Sequence, residues 1–450
     1  MSARVPSIDF TGRVLDHGRY QCIQKLGSGT YGVVYRAIDY KTNPSKQLYA
    51  SEVAIKILRK TGTTEREQDN IKRERMLHRV MSEHPNIVTM RHDFDDENHI
   101  YIVLDYCPGG DLFSKIRDEG VFWRNDALIK KIFIQIIDSV EACHVQGIYH
   151  RDLKPENILC SADGTQVFLS DFGLATQQRV SNTFGCGSSF YMSPECIGEE
   201  TDGIPYAPKY SDVWALGVIL LNMVTGRAPW ERAITTDDCF HDYLIDKNFL
   251  RQMLPISRQL SYVMRKVFEL DPSERLTLRE LRNAVHAMKS FFMDEQDIAI
   301  APRGCQIAVK EMVAHVAAIN RNKCLDKVVE NFDKLHIKEE AVRRAAPLHK
   351  EPSSRRKDTP ISTPDGSPTS SHAACPIVGD DETETESGSD LSSGLVTPTN
   401  YPNESLLEVP DITESLGLDW ISTIAAKLRK AIEPVRGPLR VVNQTKTISA

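Results

Sequence analysis

The sequence predicts an α+β fold with a partly disordered C-terminal extension, and three patterns predict it. Val53, Ile55 and Ile57 alternate with Ala54 and Lys56, the period of two of a strand with one buried face. Ile129, Ile132, Phe133, Ile136, Ile137 and Val140 recur at i, i+3, i+4, i+7, i+8 and i+11, one face of an amphipathic helix. Leu260, Val263, Met264, Val267 and Phe268 repeat that spacing, as do Leu281, Ala284, Val285 and Met288. From Leu348 to about Ser415 the chain turns to Ser, Thr, Pro and acidic residues, including the acidic run from Asp380 to Glu386. That stretch lacks the apolar content to bury itself.

These shifts divide the chain. Residues 1–19 read as a short leader, 20–291 as the folded domain and 292–347 as a helical extension. Residues 348–415 read as a disordered segment, and 416–450 as a short amphipathic helix and tail. In the helical extension, Val309, Met312, Val313 and Val316 form one apolar stripe. Leu325, Val328, Val329, Phe332 and Leu335 form a second, which suggests a helical pair, docked on the domain or forming a small module of its own. A last stripe, Ile421, Ile424, Ala425 and Leu428, lies between Asp419, a candidate N-cap, and Pro434. Val213 to Val224, the most apolar stretch, is too short to span a bilayer and suits a buried helix.

Composition excludes some functions. The net charge of −7, from 55 basic and 62 acidic residues, gives no basic signature for nucleic acid or an anionic membrane. The ten cysteines form no CxxC and no Cys/His ligand spacing, so reduced thiols in a cytoplasmic or nuclear protein are expected. The start, Met1 to Pro6, shows neither an apolar signal core nor a myristoylation glycine. A monomer is expected.

Five short motifs carry the chemistry. Leu26 precedes Gly27-Ser28-Gly29-Thr30-Tyr31-Gly32-Val33-Val34, whose glycines let backbone N–H groups approach phosphate oxygens where a side chain would collide. Alone, this pattern also suits a dinucleotide fold or a hairpin turn. Val53-Ala54-Ile55-Lys56 places a lysine in a mostly apolar strand, and a buried ammonium needs an anion partner. His150-Arg151-Asp152-Leu153-Lys154-Pro155-Glu156-Asn157, Asp171-Phe172-Gly173 and Ser193-Pro194-Glu195 follow in that order. Asn157 and Asp171 offer the hard oxygen ligands that Mg²⁺ requires. In register, the five point to transfer of the γ-phosphate of ATP.

On these motifs, the chain from Tyr20 to Phe291 resembles the eukaryotic protein kinase family of Ser/Thr type. The resemblance implies a bilobal fold, with a small β-rich N-lobe and a larger helical C-lobe. It implies ATP and Mg²⁺ as cofactors, with Lys56 on the α- and β-phosphates and Glu74 as its partner. Val34, Ala54 and Leu159 look like the apolar sandwich around adenine, each being plain core in the bland reading. Ile102 to Cys107 resembles the hinge, with Leu104 as gatekeeper and the backbone of Asp105 and Cys107 facing the adenine edge. Asp111 would cap the next helix, accept from the ribose or contact a substrate arginine. Tyr31 would cover the phosphates. Asp152 would orient the substrate hydroxyl and take its proton late. Lys154 would neutralise charge on the transferred phosphoryl, and Asn157 and Asp171 would hold the metal. Phe172 and His150 look like members of an internal apolar column. Asp212 resembles an anchor for the catalytic loop, and Glu195 with Arg275 a buried ion pair.

Lys154 within this octet resembles Ser/Thr enzymes; tyrosine kinases carry a different loop with Arg and Ala. Ser188 sits where such enzymes bond the catalytic Asp and Lys. Glu156 and Asp111 match acidic positions that favour arginine before the phosphosite, while Asn222 stands where a third acid is common. Arg151 could pair with a phosphorylated activation loop, with Thr183 and Ser181 as candidates, or the loop could order itself unmodified. Thr359, Thr363, Ser367 and Thr397, each before proline, suit upstream proline-directed kinases; Thr383, Thr385, Ser387 and Ser389 suit acidophilic ones. The segments Phe184–Glu195, Asp105–Phe113 and Phe268–Arg275 are similar to a fungal group of nutrient-response and meiosis-control kinases. A scaffold that keeps the fold without catalysis and a small-molecule phosphotransferase are the competing readings. None of the key residues is degraded, against the first, and Ser-Pro-Glu with Arg275 argues against the second.

Overall fold

Strand pairing builds the first half of the domain, and helix burial the second. The computed structural model describes residues 9–29, 32–40, 51–60, 64–345, 423 and 426–427. Contacts gather Met1–Asp326 and Asp411–Ala450 into one compact unit and Lys327–Pro410 into another.

The N-lobe is a six-stranded antiparallel sheet in the order β1-β2-β3-β4-β6-β5. Its strands are β1 (Val14–Leu15), β2 (Tyr20–Ser28), β3 (Gly32–Asp39), β4 (Ser51–Arg59), β5 (Met90–Asp95) and β6 (His99–Asp105). The period of two in β4 sorts its side chains as expected. Val53, Ile55 and Ile57 join Tyr20, Tyr35 and Tyr101 in an apolar cluster on one face, and Ala54 and Lys56 occupy the other. The described part of the leader, residues 9–19, belongs to this lobe. Phe10 is buried in the same cluster, Tyr35 donates to Asp9 Oδ1 at 2.9 Å, and Val14–Leu15 pairs with β2. Helix α1 (Glu65–Met81) starts at a capping box between Thr64 and Glu67 and buries Ile71, Glu74, Leu77, His78 and Met81.

The C-lobe comprises α2 (Leu112–Arg117), α3 (Asp126–Val145), the hairpin β7 (Ile158–Cys160) and β8 (Val167–Leu169), α4 (Pro194–Ile197) and α5 (Pro208–Thr225). It continues with α6 (Asp238–Ile245), α7 (Phe249–Met253), α8 (Arg258–Val267), α9 (Leu278–Ala287) and α10 (Glu295–Ile300). The six α3 residues of the predicted stripe are buried, and α5 is buried on nearly every side because it runs through the centre. Gly217 of α5 has no substitute: a Cβ there would lie 2.5 Å from Val267 Cγ1. No described helix is long and apolar enough to cross a membrane, and no disulfide joins the described cysteines.

The extension departs from expectation. The two stripes lie on one continuous helix, α11 (Arg303–Ala345), not on a pair. Its buried row is Cys305, Ala308 and Ile319, whereas Val313 is 49% exposed. The surface it meets sets that row: His315 Nε2 lies 2.7 Å from Arg117 O, and Lys323 Nζ donates to Glu119 O at 3.0 Å. The segment 348–415, with its candidate phosphosites, lies outside the described residues. So does the whole of the last stripe, although positions 423, 426 and 427 of the same stretch are described and helical.

Candidate active site

The catalytic loop lies between α3 and β7, and one buried carboxylate holds it. Asp212, near the start of α5, accepts from the backbone N–H of His150 at 3.0 Å and of Arg151 at 2.9 Å. His144 Nε2 lies 2.9 Å from the same side chain. Arg151 adopts φ 67° and Asp171 φ 61°, left-handed conformations that non-glycine residues rarely take and that a surrounding network must hold.

Asp152 then meets three partners. Lys154 Nζ donates to its Oδ2 at 2.8 Å, Ser188 Oγ donates to its Oδ1 at 3.1 Å, and Asn157 Nδ2 donates to its Oδ2 at 3.1 Å. Lys154 also donates to Ser188 Oγ at 3.0 Å, which closes a ring linking the catalytic loop to the activation segment. Asn157 Nδ2 further donates to the Asp152 carbonyl at 2.8 Å, so its carbonyl oxygen is the atom left for a cation.

The N-lobe face of the cleft carries Lys56. Its ammonium donates to Glu74 Oε1 at 2.6 Å and to Asp171 Oδ1 at 2.9 Å. Burial disfavours the charged ammonium, but Glu74 and then Asp171 more than offset this and hold its pKa above the ordinary lysine value. Burial likewise works against the Asp171 carboxylate, and Lys56 overcomes it, drawing the carboxyl down to about 2. The bonds Ser170 N to Asn157 O, at 2.9 Å, and His150 Nε2 with Ser170 O, at 3.0 Å, tie the Asp171 strand to the catalytic loop.

Around these charges lies the predicted nucleotide cleft. Among the described residues, no atom lies within 4 Å of a Cβ added at Gly27 or Gly29. Gly32 is required for another reason: a Cβ there would meet the Ile57 carbonyl oxygen at 2.2 Å, so only glycine lets β3 lie against β4. Leu26 is largely exposed at the end of β2, Ser28 and Val33 pair across the hairpin, and Thr30 and Tyr31 lie outside the described residues. Val34 faces Lys56 across β3–β4, and Ala54 faces Leu104 across β4–β6. Leu159 bridges to Asp111. The Asp105 N–H is bound to Thr89 O at 3.0 Å, and the Cys107 carbonyl accepts from the Gly110 N–H at 3.4 Å. Asp111 caps α2 by accepting from Ser114 N at 2.7 Å, the simplest of its three predicted roles.

The sequence reading passed over His78. It follows Glu74 by one helical turn, stacks on Phe172 with centroids 4.9 Å apart, and places Nε2 2.7 Å from Val88 O. His150 meets the same ring edge-on, with centroids 5.3 Å apart. The buried row of α1 is the signal that could have revealed it. Burial pushes its pKa down to about 4. An unfolded histidine titrates near 6.5, so between the two values the unfolded chain binds more protons. This contribution to stability is complete above about pH 6.5 and is lost as pH falls towards 4, roughly 3 kcal/mol in all. His78→Leu is expected to flatten that slope. Thermal melts between neutral pH and pH 5 check it, and parallel curves for parent and variant would refute the assignment.

The activation segment is held by contacts of its own. Arg151 Nη2 donates to the Thr183 carbonyl at 3.4 Å, and Tyr206 Oη donates to the same oxygen at 3.2 Å. Thr183 is half-buried. Ser181 is wholly buried and exchanges both backbone hydrogen bonds with Tyr206, so it does not present a hydroxyl to another enzyme in this arrangement. Asn222 accepts from Tyr191 Oη at 2.7 Å, and burial raises the Glu156 pKa. Glu195 and Arg275 form a fully buried pair at 2.5 and 2.9 Å.

Comparison with known proteins meets this geometry. The family described as "Protein kinase domain" matches residues 20–287. The chain is 43% identical over 284 residues to "Negative regulator of sexual conjugation and meiosis" of Schizosaccharomyces pombe, covering 59% of this chain and 59% of that one. It is 39% identical over 294 residues to "Serine/threonine-protein kinase ksp1" of the same organism, covering 64% and 60%. It is 31% identical over 360 residues to "Serine/threonine-protein kinase VHS1" of Saccharomyces cerevisiae, covering 67% and 77%. The matches thus span about three fifths of the length of the first two relatives. With the family match covering more than half of its residues and the Lys56–Glu74–Asp171 and Asp152–Lys154–Ser188 contacts assembled across one cleft, this chain belongs to the protein kinase domain family.

Proposed function

We propose that the chain is a protein serine/threonine kinase that transfers the γ-phosphate of Mg·ATP to a Ser or Thr hydroxyl of a protein. The observation that carries this is the ring Asp152–Lys154–Ser188 joined through the loop to the Lys56–Glu74–Asp171 chain. Asp152 is held by three donors and orients the incoming hydroxyl, accepting its proton late. Lys154 places positive charge beside it, and such preorganised charge costs no rearrangement during transfer. Glu74 fixes the Lys56 ammonium beside Asp171.

The residues fit a nucleotide and metal. Mg²⁺ keeps waters and phosphate oxygens and needs only one or two protein oxygens, which Asp171 and Asn157 would supply. When bound, it would neutralise phosphate charge. Val34, Ala54 and Leu159 would hold the adenine, with the backbone of Asp105 and Cys107 at its edge.

Glu156 and Asp111 support a moderate preference for arginine before the phosphosite; the neutral Asn222 keeps it moderate. A role in nutrient, stress, cell-cycle or meiotic signalling, in the cytoplasm or nucleus and as a monomer, is proposed with it; the similarity to a negative regulator of sexual conjugation and meiosis supports the meiotic part. Upstream kinases acting on the tail or on Thr183 are further proposed partners.

A positional-scanning peptide array with the purified chain and Mg·ATP tests the proposal. Transfer to Ser/Thr peptides is expected. Thermal stabilisation by Mg·ATP without any turnover would favour the scaffold instead, and transfer to a metabolite but to no peptide the small-molecule enzyme. Lys56→Met removes the phosphate-facing charge and is expected to lower turnover by about 10²-fold or more while the chain stays folded. Unchanged turnover in that variant would remove Lys56 from the mechanism.

A further inference from the structure

We propose that the C-terminal segment around Thr423–Lys427 docks in cis on the loop Gly198–Gly203 and braces the floor of the activation segment. This goes beyond the kinase assignment and does not depend on turnover. The chain is helical at Thr423, Ala426 and Lys427, positions i, i+3 and i+4 of the stretch between Asp419 and Pro434. Thr423 and Lys427, one turn apart on the same face, are half-buried, and Ala426 is exposed. Lys427 Nζ lies 2.5 Å from Asp202 Oδ2, a contact between residues 225 positions apart. Asp411–Ala450 belongs to the same compact unit as Met1–Asp326, whereas the intervening Lys327–Pro410 does not.

The loop is built to transmit such a contact. Glu199 pairs with Arg232 at 2.5 Å, and Glu200 Oε1 accepts from Thr235 N at 2.6 Å, which fixes the middle of the loop to the C-lobe. Asp202 is the acid of this loop that meets the tail. The loop's ends touch the activation segment. A Cβ on Gly198 would fall 2.6 Å from the Phe184 ring, and one on Gly203 3.8 Å from it, so both glycines form the surface on which that ring rests. Phe184 lies between Thr183, whose carbonyl receives Arg151 and Tyr206, and Gly185, whose N–H donates to Cys196 O at 2.9 Å. Four residues beyond Phe184 is Ser188, the bridge between Asp152 and Lys154. The Asp152–Lys154–Ser188 ring is closed while Lys427 sits on Asp202, so docking is compatible with the assembled site. An exposed ion pair alone holds a segment weakly. Thr423, half-buried one turn before Lys427, is a second point at which the segment is shielded from water.

The test uses the full chain. A carbodiimide, which joins an amine to a carboxylate at zero length, is expected to give an Asp202–Lys427 amide by mass spectrometry. Its yield should not change on dilution and should vanish in Asp202→Asn. Lys427→Glu leaves the core sequence untouched. It is expected to speed amide hydrogen exchange at Gly198–Gly203 and Phe184–Gly187 by about two- to fivefold, with restoration in the double swap Asp202→Lys, Lys427→Glu. No cross-link, or a yield that rises with protein concentration, overturns docking in cis. Exchange in Lys427→Glu equal to that of the parent, or no restoration in the swap, overturns the brace.

Discussion

Asp152→Asn is expected to lower turnover by about 10²- to 10⁴-fold, the range that loss of a positioned general base produces. The substitution keeps the shape of the side chain and removes its charge and one acceptor. Lys154 still has Ser188 Oγ at 3.0 Å, and Asn157 still has the Asp152 carbonyl at 2.8 Å, so the loop keeps its geometry. Asp212 continues to hold His150 and Arg151 by their backbone N–H groups. Stabilisation by Mg·ATP should therefore persist, because Lys56 and Asp171 are untouched. The measurement is steady-state peptide phosphorylation beside a thermal melt with and without nucleotide. Full turnover in the purified variant would sink the enzyme assignment, whereas loss of turnover together with loss of the fold would leave Asp152 a structural residue.

The residues of that ring were legible in the sequence because they are local. Asp152, Lys154 and Asn157 lie within six positions, and their spacing alone puts them on one loop. Lys56 was legible through the alternation of β4, which implied that a buried ammonium must have a partner. What a pattern shows is a face; what it cannot show is the surface that face meets. The stripe of Val309, Met312, Val313 and Val316 identified a helix, yet the buried positions are Cys305, against Met293, Ala308, and Ile319, beside Gly120, while Val313 is exposed. Ser181 stood out as a phosphosite candidate by its place in the activation loop, and its pairing with Tyr206, 25 residues on, is what the local sequence did not show. Phe10 stands in a stretch with no periodicity, so nothing local said that it would close the apolar face of the sheet. His78 was missed for a related reason: its neighbours in space, Phe172 and Val88, come from other elements. Gly32 shows the reverse case, where a motif was read correctly and one of its physical reasons was not. The strand behind it, and not only a phosphate in front, forbids a side chain.

Arg275→Ala is expected to destabilise the chain by about 3–5 kcal/mol, the cost of leaving one member of a buried ion pair without its partner. Both side chains are essentially inaccessible, at 0% and 1% exposure, so water cannot replace the lost guanidinium. The arginine also donates to the carbonyls of Glu269 at 2.9 Å and Tyr210 at 3.2 Å and lies 4.8 Å from the Trp214 ring centroid. Truncation therefore strands a carboxylate, leaves two carbonyls without that donor and opens a cavity against an indole. In a domain of this size the melting temperature should fall by on the order of 10 °C. Glu195 sits in α4 beside Cys196, whose carbonyl holds Gly185 of the activation segment, so turnover should fall as well, but as a consequence of disorder there. Two measurements separate this from chemistry. Activity in Arg275→Ala should recover in part on cooling, which it would not do for Asp152→Asn. The double variant Arg275→Met, Glu195→Leu should melt closer to the parent than the single one, because replacing both charges removes the stranded carboxylate. A double variant that melts as low as Arg275→Ala alone would mean that the pair is not what holds α4 to the lobe, and that packing against Trp214 is.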